Sequence, residues 1–238
     1  MRLPAIVTAL LAVSLLSACG ENSPMVVSEE QEVAIGQETA AQVVQEYGQP
    51  VRYGPEVERV ERVGRPLLQH VQRRVPYSIS VLDNSEVINA FAVPGGPTFV
   101  TRALVNTMSA DDELAFVLAH ELAHIENEHG REAINQALLV NTAAQVLLGD
   151  RGQLIQLGAQ VAWALYSQGY TRAQERESDA TGVRLMAAAN FDPRGALRSL
   201  AKLGGGELTG PARWLSSHPS TPERIRLLQE QIQREYNL

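Results

Sequence analysis

The chain has 238 residues, 45% of them hydrophobic and 20% charged, with a formal net charge of −7. That length suits one substantial core, with at most a small appendage. An acidic balance without a basic tract argues against nucleic acid as a partner.

Met1-Arg2 gives a short positive start, and an apolar run follows from Ala5 to Leu16. The run is too brief to span a bilayer as a mature helix, so residues 1 to 18 read as a signal peptide. Cys19 is the only cysteine in the sequence, so no internal disulfide is possible. The preceding Leu16, Ser17 and Ala18 resemble the bacterial lipobox. That resemblance implies cleavage before Cys19, lipid attachment to it, and a polar tether over residues 19 to 27. Gly20 stands where the inner-membrane retention signal would place an aspartate, which implies the periplasmic face of the outer membrane.

Residues 28 to 238 are expected to form one domain of α+β class, mostly helical, with a small antiparallel sheet. Ser28 to Tyr47 reads as a helix stopped by Gly48, and Pro55 opens a second one that runs to Pro76. The period then falls to two. Tyr77 to Leu82, Glu86 to Val93 and Thr98 to Thr101 read as three short strands, the first two joined by a turn at "DNS". Ser109 is placed to cap a helix whose first turn holds Asp111, Asp112 and Glu113, and Gly130 to stop it. Residues 131 to 168 read as two buried helices, because Asn141, Gln145, Asp150 and Arg151 interrupt the apolar run. Thr171 to Ala189 is a further helix ended by Asn190, and Asp192-Pro193 starts another. Gly204 to Pro211 reads as a flexible loop, and Ser220 with Glu223 as the cap of a last helix to Tyr236.

Three of the five histidines fall in "AHELAHIENEHG", Ala119 to Gly130. His120 and His124 flank Glu121 in an H-E-x-x-H pattern on a predicted helix. At about 100° per residue they lie ~40° apart on one face and can share one zinc ion. Glu121 stands beside them, placed to take a proton from a water that the metal activates. His129 sits nine residues after His120, about half a turn around a continuous helix, so it is expected at the surface or the helix C-terminus. His70 is expected to be a surface side chain. A third ligand is sought in "YTRAQERESDATG", where Glu175 and Asp179 share a helix face. There Glu175 could bind metal while Asp179 accepts the N–H of a ligand histidine. Without the H-E-x-x-H motif, Glu175, Glu177 and Asp179 would read as a solvated, salt-bridged face with Arg172, Arg176 and Arg184.

H-E-x-x-H followed by E-x-x-x-D resembles the gluzincin peptidases of the HtpX and CAAX prenyl protease type. Most similar are the periplasmic lipoprotein members, the BepA-like and LoiP-like proteases. "NAFAVPGGPTFVTRAL" (Asn89 to Leu104) and "SHPSTPERIRLL" (Ser217 to Leu228) extend the likeness over roughly residues 86 to 228. The resemblance implies one Zn²⁺ per chain on His120, His124 and Glu175, with Glu121 as general base and Asp179 behind the ligands. The chain ends at Leu238, where BepA-like members carry tetratricopeptide repeats, so repeat-mediated docking is not expected. Peptidases of this class are expected to add an extended substrate to a sheet edge, here Asn89, Ala90, Phe91 and Ala92. The family position of His218 implies an active-site role, preferably as hydrogen-bond donor to the oxyanion. As a fourth metal ligand it would instead hold the enzyme latent. The implied function is cleavage of misfolded or misassembled cell-envelope proteins. The rival is a chaperone-like outer-membrane lipoprotein that binds unfolded chains, with latent or structural zinc.

Overall fold

The computed structural model describes residues 27–140, 150–204, 214–219 and 221–238. The signal peptide, Cys19 and its tether to residue 26 lie outside the described residues, as do Asn141, Gln145, the loop from 205 to 211, and Ser220. No helix among the described residues is long and apolar enough to cross a membrane.

Helix α1, Glu29–Tyr47, begins at a reciprocal capping box between Ser28 and Gln31 and ends at Gly48, whose φ is 101°. Helix α2, Pro55–Leu68, stops well before Pro76. Pro66 cannot donate into its last turn, and the later amides of Gln72 and Arg73 donate instead to the Glu126 carboxylate, at 2.8 and 3.2 Å. The expected seven further residues of helix are therefore a turn at Gln69 and His70 followed by non-helical chain.

Strands β1 (Ser78–Leu82), β2 (Ala90–Ala92) and β3 (Pro97–Thr101) form a sheet in the order β1-β3-β2. The expected all-antiparallel sheet is a mixed one: β1 runs parallel to β3, and β2 antiparallel to it. The cause lies at "DNS", which makes no hairpin. Asn84 Oδ1 accepts the amides of Glu86 and Val87, its carbonyl accepts Ala103 N–H, and the chain crosses to the far side of β3. β2 is also shorter than expected, because the amide of Asn89 donates to the Thr101 hydroxyl.

After the short helix α3 (Arg102–Thr107) comes α4, Asp111–Glu126, which packs on α2, β2 and β3. Its cap residue is Ala110, and Glu113 accepts from the amides of Ser109 and Ala110. From Glu113 to Ile125 each side chain of α4 is buried, so it carries the chemistry inside the core. α5 (His129–Val140) and α6 (Arg151–Gln168) follow, joined to α1 through Val27, Ile35, Ile134, Leu138, Leu154 and Ala162. Helix α7, Arg172–Ala188, starts at a capping box of Thr171 and Gln174 and lies along α4. Gly182 permits that closeness: a Cβ there would stand 3.1 Å from the His120 amide nitrogen. The chain ends in α8 (Gly195–Gly204), the one-turn α9 (Trp214–Ser217) and α10 (Pro222–Tyr236), which Thr221 caps.

Candidate active site

Helix α4 presents His120, Glu121 and His124; α7 presents Glu175 and Asp179; the turn after α9 presents His218. All six side chains are buried. One ligand atom from each of His120, His124, Glu175 and His218 lies within 4.8 Å of the others. His120 Nε2 is 3.1 Å from His124 Nε2 and 3.2 Å from His218 Nδ1. Glu175 Oε1 is 2.8 Å from His218 Nδ1 and 3.4 Å from His124 Nε2.

These separations test the fit to a metal. Zinc holds nitrogen at about 2.0–2.1 Å, so the edges of a regular tetrahedral site are about 3.3–3.4 Å long. Four of the six separations among these donor atoms are 2.8 to 3.4 Å and all six are within 4.8 Å, which approaches that frame, and three nitrogens with one carboxylate oxygen suit zinc. Charge agrees. The buried carboxylates of Glu121, Glu175 and Asp179 face one buried guanidinium, that of Arg224, and a divalent cation would cancel the excess. Without it, the site draws a proton onto imidazole. Burial lowers the His120 pKa, but the carboxylates of Asp179 and Glu175 outweigh it and raise it to about 9. Burial holds His124 well below the usual value, so His124 presents a neutral ring. Burial would raise the Glu175 pKa, but His218, His120 and His124 together drive it down. Glu175 is thus an anion.

The surroundings hold these groups in place. Asp179 Oδ1 stands 3.1 Å from His120 Nδ1, a close charge contact bent away from ideal hydrogen-bond geometry. Arg224 donates to both Asp179 oxygens at 2.7 Å and to the Pro219 carbonyl at 2.9 Å, and its Nη1 lies 2.7 Å from Glu175 Oε2. Glu121 has both oxygens engaged: Oε1 accepts from the Trp214 indole at 3.0 Å, and Oε2 from the Ala92 amide at 3.1 Å. Tyr170 stacks on His124, with ring centroids 3.9 Å apart.

The sequence-derived residues thus converge, with two differences. His218 is not set back from the cluster as a lone donor would be; its Nδ1 is one of the four converging atoms. His129 is not at the surface. α4 ends at Glu126 with Asn127 as its cap, Glu128 takes a left-handed φ of 57°, and α5 begins at His129 itself. The break turns the buried His129 ring back beneath His124, Nδ1 to Nδ1 at 3.0 Å. Of the expected substrate strand, Asn89 precedes β2 and Phe91 packs with Tyr47 and Phe99. Ala92 reaches the site through its amide. His70 is exposed, as expected. Trp214, Tyr170 and Arg224 had no assigned part. Arg224 had a signal: it shares a face of α10 with the buried Leu228, Gln231 and Ile232, where a solvated arginine would not stand.

The model of peptidase family M48 matches residues 56–232. "Mitochondrial metalloendopeptidase OMA1" of Schizosaccharomyces pombe is 29% identical over 223 residues, covering 88% of this chain and 65% of that protein. The Arabidopsis thaliana protein of the same name is 34% identical over 152 residues, covering 61% and 30%. "Beta-barrel assembly-enhancing protease" of Yersinia pestis is 27% identical over 230 residues, covering 90% and 46%. The chain therefore spans from 30% to 65% of the length of these relatives.

Proposed function

We propose that this chain, which belongs to peptidase family M48, is a zinc-dependent endopeptidase acting on misfolded or misassembled cell-envelope proteins. The carrying observation is the buried convergence of His120, His124 and Glu175 beside Glu121. Zinc held there would supply a Lewis acid that polarises the scissile carbonyl and acidifies water. Glu121 takes the proton of the attacking water and delivers it to the leaving amine. Asp179 orients the His120 ring, and Arg224 holds Asp179 and Glu175 in register. The edge of β2 at Ala90–Ala92 is the place where an extended substrate would pair.

His218 Nδ1 stands among the converging donor atoms and Trp214 donates to Glu121. That favours the latent role for His218 over the donor role: the conformation is closed, and His218 and Trp214 must withdraw before a substrate enters. The envelope assignment rests on the lipobox-like "LSAC" and on the printed name of the Yersinia relative, which ties that protein to β-barrel assembly. Attachment through a Cys19 lipid at the periplasmic face of the outer membrane belongs to the same proposal. A binding protein would have no use for a buried carboxylate beside three ligands, which favours the enzyme over the chaperone. The test is Glu121→Gln with an unfolded protein as substrate. The variant should keep zinc yet lose chelator-sensitive cleavage; cleavage at the wild-type rate would refute the mechanism.

A further inference from the structure

We infer that His129 is a positioning residue which, backed by Glu177, fixes His124 in the tautomer that presents Nε2 to the metal. The inference rests on the proposed zinc site and deepens it. His129 Nδ1 lies 3.0 Å from His124 Nδ1, and its Nε2 lies 3.2 Å from Glu177 Oε2. Two ring nitrogens at 3.0 Å share one proton, and which ring owns it decides what His124 offers on its far side.

Glu177 settles the ownership. A carboxylate only accepts, so the His129 nitrogen facing it carries the N–H. With its N–H turned to Glu177, the His129 ring keeps its lone pair at Nδ1, the nitrogen that faces His124 Nδ1 at 3.0 Å. The proton between the rings then belongs to His124 Nδ1, which leaves the Nε2 lone pair pointing into the cluster. The opposite assignment would set a lone pair of His129 against the Glu177 carboxylate. It would also aim a His124 N–H at His120 Nε2, 3.1 Å away, where a cation belongs. Ser178 Oγ, 3.3 Å from His129 Nδ1, is a second and longer donor to the same lone pair.

The backbone is bent to make this contact. On a continuous helix residue 129 would face away from residue 120. Glu128 instead takes the left-handed φ of 57° that L residues other than asparagine and aspartate seldom adopt. Arg131 pairs with its carboxylate at 3.0 Å.

The test compares His129→Asn with His129→Leu in the full chain, reading zinc affinity by chelator competition and the Tm of the metal-free protein. Asparagine can place an acceptor oxygen where Nδ1 was; leucine fills the space without one. The leucine variant should bind zinc about 10–100-fold more weakly and the asparagine variant within about threefold of wild type. A packing role would order them the other way, leucine retaining both affinity and metal-free Tm. Wild-type affinity in His129→Leu, or an equal loss in both, overturns the inference. Should the leucine variant not fold, His129→Gln replaces it, since its oxygen reaches past the Nδ1 position; affinity equal to that of His129→Asn then refutes the proposal. Failure of the zinc site itself shows separately, as a wild-type chain that takes up no zinc.

Discussion

Arg224→Met should be among the most destabilising single changes in this protein. The guanidinium is buried and makes two 2.7 Å bonds to Asp179, one of 2.9 Å to Pro219 O, and an ion pair with Glu175. Methionine keeps much of the stem volume but leaves the Asp179 carboxylate in the core without its cation. Breaking a buried pair from one side costs about 3–5 kcal/mol. For a domain of this size each kcal/mol is worth roughly 2–4 °C, so Tm should fall by about 6–20 °C. Urea unfolding of the metal-free protein gives the free energy directly. The sign of a double-mutant cycle tests the reason: Asp179→Asn removes the stranded charge, so Asp179→Asn/Arg224→Met should be no less stable than Arg224→Met alone. A loss below about 1 kcal/mol, or losses that simply add, would refute the view that Arg224 acts by neutralising Asp179.

Glu175→Gln should lose most bound zinc, read by metal analysis after gel filtration, whereas Asp179→Asn should weaken affinity about 10–100-fold. His218→Ala should raise basal cleavage of an unfolded substrate and loosen zinc slightly; a large fall in kcat at unchanged zinc content would restore the donor role. Cys19→Ser should leave the protein out of the outer-membrane fraction after a high-salt wash, and its recovery there would show a different anchor.

The helices were legible where their ends are local. Ser28 with Gln31 and Gly48 bound α1, and Thr171 with Gln174 opens α7, because each cap is a bond between residues three or four apart. α2 was overread because the amides that leave it at Gln72 and Arg73 go to Glu126, more than fifty residues on. The sheet failed for a related reason. "DNS" has turn composition, yet whether such a turn closes a hairpin or sends the chain across depends on what β3 offers, and Thr101 takes up Asn89 before β2 begins.

The site divides along the same line. The groups legible in the sequence come as two pairs one helical turn apart, the donors His120 and His124 and the donor Glu175 with its supporting Asp179, and periodicity finds such pairs. The groups that hold them have no such spacing. Trp214 reaches Glu121 across 93 residues and Arg224 reaches Asp179 across 45. His129 is the instructive failure, because it is close in sequence and was still misplaced. Angular arithmetic on an unbroken helix puts it on the wrong side, and Gly130 offers an obvious stop just beyond it. The chain breaks instead at Glu128, a residue with no preference for the left-handed region. What outweighs that local cost is tertiary. The break buries His129 between His124, Ser178 and Glu177, so a local irregularity that no propensity favours is held by the contacts of the site it serves.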